Sequence, residues 1–230
     1  MSRGPVILEQ LRAALGVDGV FVRGIVSFGD GEGPLLADGT AAQSVVLLGN
    51  IGGSIWIPFS RWWQLPENAG RSDPLDDWSK TVIRPVASSL GATAYFPSDP
   101  PWLPFQRWAM QAEGLKASPL GILIHPVYGV WHGYRGALGF ADAIENDFAP
   151  AFPQHPCDVC VDKPCVTACP VAAVTTAGFD VPSCRSHLRT REGQADCMAG
   201  GCLARNACPI GAGYRYPAEQ LAFHMAALQL

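Results

Sequence analysis

The eight cysteines of this 230-residue chain all lie between residues 157 and 208, and the first 156 residues contain none. Cysteine thiolates are soft ligands that favour particular metals, and their spacing decides what they can bind. One run reads Cys157-Asp-Val-Cys160-Val-Asp-Lys-Pro-Cys165-Val-Thr-Ala-Cys169-Pro170. The other reads Cys197-Met-Ala-Gly-Gly-Cys202-Leu-Ala-Arg-Asn-Ala-Cys208-Pro209, and Cys184 precedes it. The spacing predicts metal chemistry in the last third of the chain.

Each cysteine run ends in Cys-Pro, and two such runs are typical of a ferredoxin module that carries two [4Fe–4S] clusters. Two alternatives use the same residue type, namely four disulfides or zinc sites made of four cysteines. Disulfide frameworks are usually found in short secreted chains, whereas this sequence shows no signal-peptide pattern and a long part without cysteine. Zinc is disfavoured because both runs end in Cys-Pro and contain no histidine.

The ligands can be grouped by a cross-over rule. In two-cluster ferredoxins, the fourth cysteine of each run binds the cluster of the other run. The first run departs from the usual spacing because four residues separate Cys160 from Cys165, and the second run is more irregular. The rule predicts one cluster held by Cys157, Cys160, Cys165 and Cys208, and another held by Cys169, Cys184, Cys197 and Cys202.

Composition limits the classes of function. The formal net charge is −4 and the chain has three lysines, so it lacks the basic stripe of a nucleic-acid-binding protein and no nucleic-acid partner is expected. No apolar run approaches the length that spans a bilayer. The N-terminus has no apolar targeting segment. We therefore expect a cytoplasmic protein that does not bind membranes, in a reducing compartment that suits thiolate ligands.

Apolar periodicity and turn residues predict an α+β fold. The Ser-Asp-Pro sequence at residues 72–74 is a good helix start, and Pro85 should kink that helix. Strands are predicted at residues 20–28, 44–50, 92–96 and 121–125. Helices are predicted at residues 6–15, 72–90, 105–113 and 217–230.

A composition change marks a domain boundary. The sequence Phe148-Ala-Pro-Ala-Phe-Pro-Gln-His-Pro156 resembles a linker, because proline-rich stretches connect domains more often than they build them. We therefore predict an α/β domain over residues 1–147. A small ferredoxin-like domain with a C-terminal helix should follow over residues 148–230.

Aromatic and basic side chains alternate just before the cysteines, in the segments around residues 101–110 and 124–135. A flat cofactor with polar side groups needs apolar walls and a few convergent donors. The alternative is an ordinary hydrophobic core whose histidines bond to the backbone. The candidate cofactor-binding residues are Phe105, Arg107, His125, Tyr128, Trp131, His132 and Arg135.

The order of these features resembles epoxyqueuosine reductase and its relatives, the cobalamin-dependent reductive dehalogenases and the cobalamin-processing reductases. The resemblance rests on Trp108-Ala-Met-Gln-Ala-Glu-Gly-Leu115, Gly121-Ile-Leu-Ile, Tyr128-Gly-Val-Trp and the cysteine runs. It implies a nitroreductase-like α/β domain that binds a corrinoid, followed by a two-cluster ferredoxin-like domain that supplies electrons. It also implies that Asp99 is a catalytic proton donor. A turn aspartate in Ser-Asp-Pro-Pro is the alternative.

Two functions follow as hypotheses. The first is an iron–sulfur oxidoreductase that passes electrons to cobalamin, either as a corrinoid-dependent reductase or as a cobalamin-processing protein. The second is a ferredoxin-type electron carrier with an added docking domain and no catalysis of its own. Both need a redox partner protein, such as a ferredoxin, a flavodoxin or a reductase.

Overall fold

A computed structural model of the chain describes residues 4–145 and 154–228. The chain divides into two compact units, and each unit is built from two separate stretches of sequence. The first unit contains the described parts of Met1–Gly114 and Gly133–Ala151, and the second contains Leu115–His132 and the described part of Phe152–Leu230. The predicted boundary between residues 147 and 148 lies outside the described residues. Residues 115–132, which were predicted to belong to the first domain, group with the cysteines.

The first unit is organised around a four-stranded sheet with the strand order β1–β2–β6–β3. These strands are β1 (Phe21–Ser27), β2 (Ser44–Ile51), β3 (Thr93–Tyr95) and β6 (His132–Phe140). β1 and β2 are antiparallel, with Val26 opposite Val45, and β3 is antiparallel to β6. All but the last residue of β2 are buried, as its unbroken run of apolar residues predicts.

Strand β6 is absent from the sequence-based expectations, because three of its nine residues are glycine and glycine is depleted in strands. The structure shows why glycine is needed there. A Cβ atom at Gly139 would lie 2.5 Å from the hydroxyl oxygen of Tyr95, and one at Gly136 would lie 2.8 Å from Cδ1 of Ile83. The glycines therefore let Tyr95 and Ile83 pack closely against β6, but they also weaken the sequence signal for a strand.

The helices of the first unit are α1 (Gly4–Gly16), α2 (Trp56–Trp63), α3 (Pro74–Ser89) and α4 (Phe105–Glu113). Helices α1, α3 and α4 confirm the predicted ones, whereas α2 was not predicted. Helix α3 has Pro74 in its first turn and contains Pro85. Helix α4 ends where Gly114 takes a left-handed φ of 65°, a conformation that glycine adopts without a steric penalty.

The second unit consists of short elements joined by loops. Its two hairpins are β4–β5 (Lys116–Ala117 and Leu123–Ile124) and β7–β8 (Val174–Thr175 and Gly178–Phe179). Its helices are α5 (Pro156–Val159), α6 (Pro164–Thr167), α7 (Val181–Leu188), α8 (Arg191–Gly193), α9 (Leu203–Asn206) and α10 (Ala218–Ala226). A π-helical turn, Gln194–Met198, follows α8. The described helices include none that is both long and apolar enough to cross a bilayer.

The core of the second unit combines residues from both of its stretches. Trp131 is fully buried and lies in the same apolar cluster as Cys208, Tyr216 and Leu221. Other cysteines pack against this cluster, namely Cys157, Cys169 and Cys202. The stretch 115–132 is thus part of the core that surrounds the cysteines, which explains why it groups with them.

Candidate functional site

All eight cysteines are free thiols in the structure. The alternative of four disulfides is therefore contradicted. Each thiol is either buried or partly buried, although the runs that contain them are rich in loops. Burial raises the pKa of several of these thiols, because a thiolate there would lose hydration and would be repelled by its neighbours.

Four of the thiols line one small cavity of about 20 Å³. These are Cys157, Cys160, Cys165 and Cys208, with Leu120, Ile124 and Val130 on the apolar wall. Burial, followed by the charges of Cys208 and Cys165, raises the pKa of Cys157 to about 11. Cys208 comes from the second run, so the structure brings together the same four cysteines that the cross-over rule groups.

The remaining four thiols form a second set. Cys184, Cys197 and Cys202 line a larger cavity of about 310 Å³, whose other walls are mainly apolar. Burial, followed by the charges of Cys202, Cys169 and Cys197, raises the pKa of Cys184. Cys169 from the first run thus lies within electrostatic reach of this set, which again matches the predicted grouping.

Local backbone geometry positions the first run. Lys163 adopts a left-handed φ of 40° immediately before α6, and its ammonium group donates to the carbonyl oxygen of Cys157 at 2.9 Å. Further along, the backbone N–H of Ala173 donates to Sγ of Cys169 at 3.3 Å. Both bonds fix the loops that present the thiols.

A basic and aromatic stack lies beside the second set. Arg205 also lines the larger cavity, and its guanidinium lies 4.5 Å from the ring centre of Trp131 and 4.8 Å from that of Tyr216. Its Nη2 atom donates to the carbonyl oxygen of Val130 at 2.6 Å. Trp131, predicted as a wall of a cofactor pocket, is fully buried in this stack.

The other candidate cofactor residues of the second unit serve a local turn. The Nδ1 atom of His125 accepts hydrogen bonds from the backbone N–H groups of Val127 and Tyr128 at 3.0 and 3.2 Å. The imidazole of His125 also stacks on the Tyr128 ring at 4.2 Å. The Nε2 atom of His132 lies 3.3 Å from the carbonyl oxygen of Leu123. These contacts match the alternative of histidines that bond to the backbone.

The remaining three candidates belong to the first unit. Phe105 is buried, with its ring 5.3 Å from that of Trp108, and Arg107 is exposed on the same helix. Arg135 lies on β6, 3.9 Å from the carboxylate of Asp76. The seven predicted residues are therefore divided between the two units.

Asp99 forms ion pairs with two residues of α3. Its carboxylate lies 2.6 Å from Nζ of Lys80 and 3.7 Å from a guanidinium nitrogen of Arg84. Its backbone N–H donates to the carbonyl oxygen of Phe96, which is the pattern of a turn. These contacts account for an aspartate at this position, and its role as a proton donor stays a prediction.

Sequence reasoning missed a buried polar network in the first unit. Arg23 donates to Oε2 of Glu113 at 2.8 Å and to the carbonyl oxygen of Asn50 at 3.0 Å. The hydroxyl of Tyr134 donates to the other carboxylate oxygen of Glu113 at 2.5 Å. Burial raises the pKa of Glu113 despite the opposing charge of Arg23. The available signal was a lone arginine within the apolar sequence of β1.

Comparison with known proteins identifies a related fold. No family model and no curated protein matches the chain. Among solved structures, a C. elegans B12-trafficking protein, CblC, described as a homologue of human MMACHC, has a TM-score of 0.55. The match has 14% sequence identity and covers 98% of this chain and 92% of that chain. At this identity the likeness shows a shared fold.

Proposed function

We propose that this protein is an iron–sulfur redox protein that supplies electrons to a corrinoid, as a cobalamin-dependent reductase or a cobalamin-processing protein. The observation that carries the proposal is the separation of eight free thiols into two sets of four. Each set takes three cysteines from one part of the sequence and one from the other. This is the interlocked pattern of two-cluster ferredoxins.

The chemistry of the donors fits [4Fe–4S] clusters. Cys157, Cys160, Cys165 and Cys208 would hold one cluster, and Cys169, Cys184, Cys197 and Cys202 the other. When bound, such clusters take up and release single electrons at potentials that depend on burial and on hydrogen bonds to sulfur. Here both cavities have mainly apolar walls. The N–H group of Ala173 already donates to one of the sulfurs.

A single-ion site would require different geometry. Four thiolates on one zinc ion each lie about 2.3 Å from it, so their sulfurs converge on one point. Within residues 4–145 and 154–228, no three His, Cys, Asp or Glu side chains converge in this way. The cysteines of a cubane cluster each bind a different iron, so their sulfurs stand further apart. The proposal therefore rests on the type and grouping of the cysteines, and metal analysis distinguishes clusters from zinc.

The corrinoid part of the proposal is supported by the fold. The structural likeness to a B12-trafficking protein extends over nearly the whole chain, and the sequence resembles cobalamin-dependent reductases around residues 108–131. The individual contacts predicted for His125, Tyr128, Trp131 and His132 do not add support, because these side chains already have partners within the second unit.

The test is an anaerobic reconstitution followed by a cobalamin titration. We expect about eight irons per chain, the total of two cubane clusters. Cobalamin should then shift its visible bands on binding, and its cobalt should be reduced when the clusters are reduced first. Stoichiometric zinc with little iron would contradict the clusters. Eight irons with an unchanged cobalamin spectrum up to high micromolar concentration would leave the electron-carrier function instead.

A further inference from the structure

Arg205 is a residue of the second unit whose surroundings are not explained by the cysteines alone. It lies on α9, between Cys202 and Cys208, and it lines the cavity that also contains Cys184 and Cys197. An arginine guanidinium keeps its charge at any pH that a protein tolerates. Arg185 lines the same cavity, so the wall has two permanent positive charges, of which Arg205 is the one stacked between aromatic rings.

The guanidinium of Arg205 is held in place from two directions. One nitrogen donates to the carbonyl oxygen of Val130 at 2.6 Å, and the planar group stacks against the rings of Trp131 and Tyr216. The side chain therefore has little freedom to turn away from the cavity. A charge fixed in this way acts on its neighbours without reorganising, which makes its electrostatic effect larger.

Arg205 also has a hydrogen-bond donor that is not used. Its Nε atom is buried and has no hydrogen-bond partner, and no carboxylate of the described residues pairs with it. A buried N–H donor without an acceptor has lost its hydration without compensation, so such groups usually indicate an absent partner. An anionic, sulfur-rich group held by the adjacent cysteines would supply both the acceptor and the opposite charge.

We propose that Arg205 is a positioning residue that raises the reduction potential of the cluster held by Cys169, Cys184, Cys197 and Cys202. This inference rests on the proposed function. Each added electron makes a cluster more negative, so a fixed cation stabilises the reduced form more than the oxidised form. Arg205 thereby favours reduction of the second cluster over reduction of the first.

The first cavity differs in its cation. Lys163 lines that cavity, but its ammonium group donates to the carbonyl oxygen of Cys157 and is on a flexible stem. A strongly hydrated ammonium group of this kind is expected to have a weaker effect than a stacked guanidinium. The two clusters should therefore respond differently when each cation is removed.

The experiment compares Arg205→Gln with Arg215→Gln in the full-length, anaerobically reconstituted protein. Arg215 is a matched control because it also lies over Trp131, at 5.8 Å, and donates to the backbone oxygen of Asn206, yet it is exposed. Redox titrations followed by electron paramagnetic resonance measure both clusters. Cys160→Ser and Cys184→Ser assign each signal to its set.

We expect Arg205→Gln to reduce the equilibrium constant for reduction of the second cluster about tenfold, which corresponds to about 59 mV for one electron. The first cluster and the Arg215→Gln variant should titrate as the wild type does. Loss of the second cluster alone from Arg205→Gln would show that Arg205 retains the cluster rather than sets its potential, and would overturn the inference.

Three results distinguish failure of the proposed function from failure of the role proposed for Arg205. A wild-type protein without iron refutes the proposed function itself. Eight irons with unchanged potentials in Arg205→Gln overturn the role of Arg205 and leave the proposed function intact. Loss of both clusters in that variant, with the control intact, assigns Arg205 to the folding of the unit and also overturns the inference.

Discussion

The two units of this protein are stabilised by different means. The first has a continuous sheet whose strand β2 is buried almost throughout, together with four helices of eight or more residues. In the second, most helices have only three or four residues, and cysteines take part in the apolar core. Short elements with a small core usually need a disulfide, a metal or a partner for stability. The comparison indicates that the first unit folds on its own core. On the proposed function, the second unit depends on the clusters that its cysteines would hold.

Removing iron should break this comparison most severely. Binding of a metal group to a site that is absent from the unfolded chain contributes directly to the free energy of folding. We therefore expect chelation to unfold the second unit and leave the first folded. Hydrogen exchange followed by mass spectrometry should show faster exchange over residues 115–132 and 154–228, with β2 still protected. Equal protection in both forms would show that the cysteines do not stabilise the unit.

Exchanging single cysteines should remove one cluster rather than the whole unit. Cys208→Ser is expected to remove the cluster held by Cys157, Cys160 and Cys165, although Cys208 lies more than 40 residues further along the chain. Cys169→Ser should instead remove the other cluster. Each variant should retain about four irons, the content of one cubane, and the paramagnetic signals that remain should differ. If each variant loses the cluster of its own run, the cross-over is wrong.

The smallest of these effects should be the loss of stability when the buried ion pair of the first unit is broken. Arg23 and Glu113 side chains are only 2% and 7% exposed, so Arg23→Met leaves a buried carboxylate without its cation. Breaking such a pair destabilises a protein by about 3–5 kcal/mol. Arg107→Met, on the exposed face of α4, should change the free energy of unfolding by less than about 0.5 kcal/mol.

The loss in Arg23→Met should depend on pH. Burial raises the pKa of Glu113 above 4.5, and Arg23 is what opposes that rise. Without Arg23 the folded protein binds a proton at a higher pH than the unfolded chain does, so the variant gains stability as the pH falls toward 4.5. Denaturant unfolding at pH 7 and pH 5 measures this. A variant that is equally destabilised at both values would contradict the assignment.

The sequence predicted the structure best where the spacing of residues follows from their chemistry, as for the cysteines. The cross-over rule, which uses chain order, groups the same cysteines that the structure places near one another; that each group holds a cluster stays a prediction. Apolar periodicity predicted α1, α3 and α4. Helix α2 was missed because it contains Pro58 and begins after Ile55, which has no side chain that caps a helix. Strand β6 was missed because its glycines are required by close contacts with Tyr95 and Ile83, which are distant in sequence.

The aromatic segments show the limit of local reasoning. Trp131 and Arg135 are four residues apart, yet they belong to different units. A run of aromatic and basic residues is equally suited to a cofactor wall and to a core, and only tertiary packing distinguishes them. Trp131 packs against Arg205 and Tyr216, which lie more than 70 residues further along the chain. The sequence around Trp131 does not predict these contacts.

The stretch 115–132 has a consequence for how the chain is synthesised. The ribosome releases this core segment before any cysteine emerges, and Cys208 follows Trp131 only after roughly 4–15 s at usual rates of translation. During that interval Leu120, Ile124 and Trp131 have no core to enter, while β6 can already pair with β2. A fragment that starts at residue 154 would lack these three side chains altogether. The cysteine-bearing part is therefore not a module that can be cut from this gene and transplanted whole.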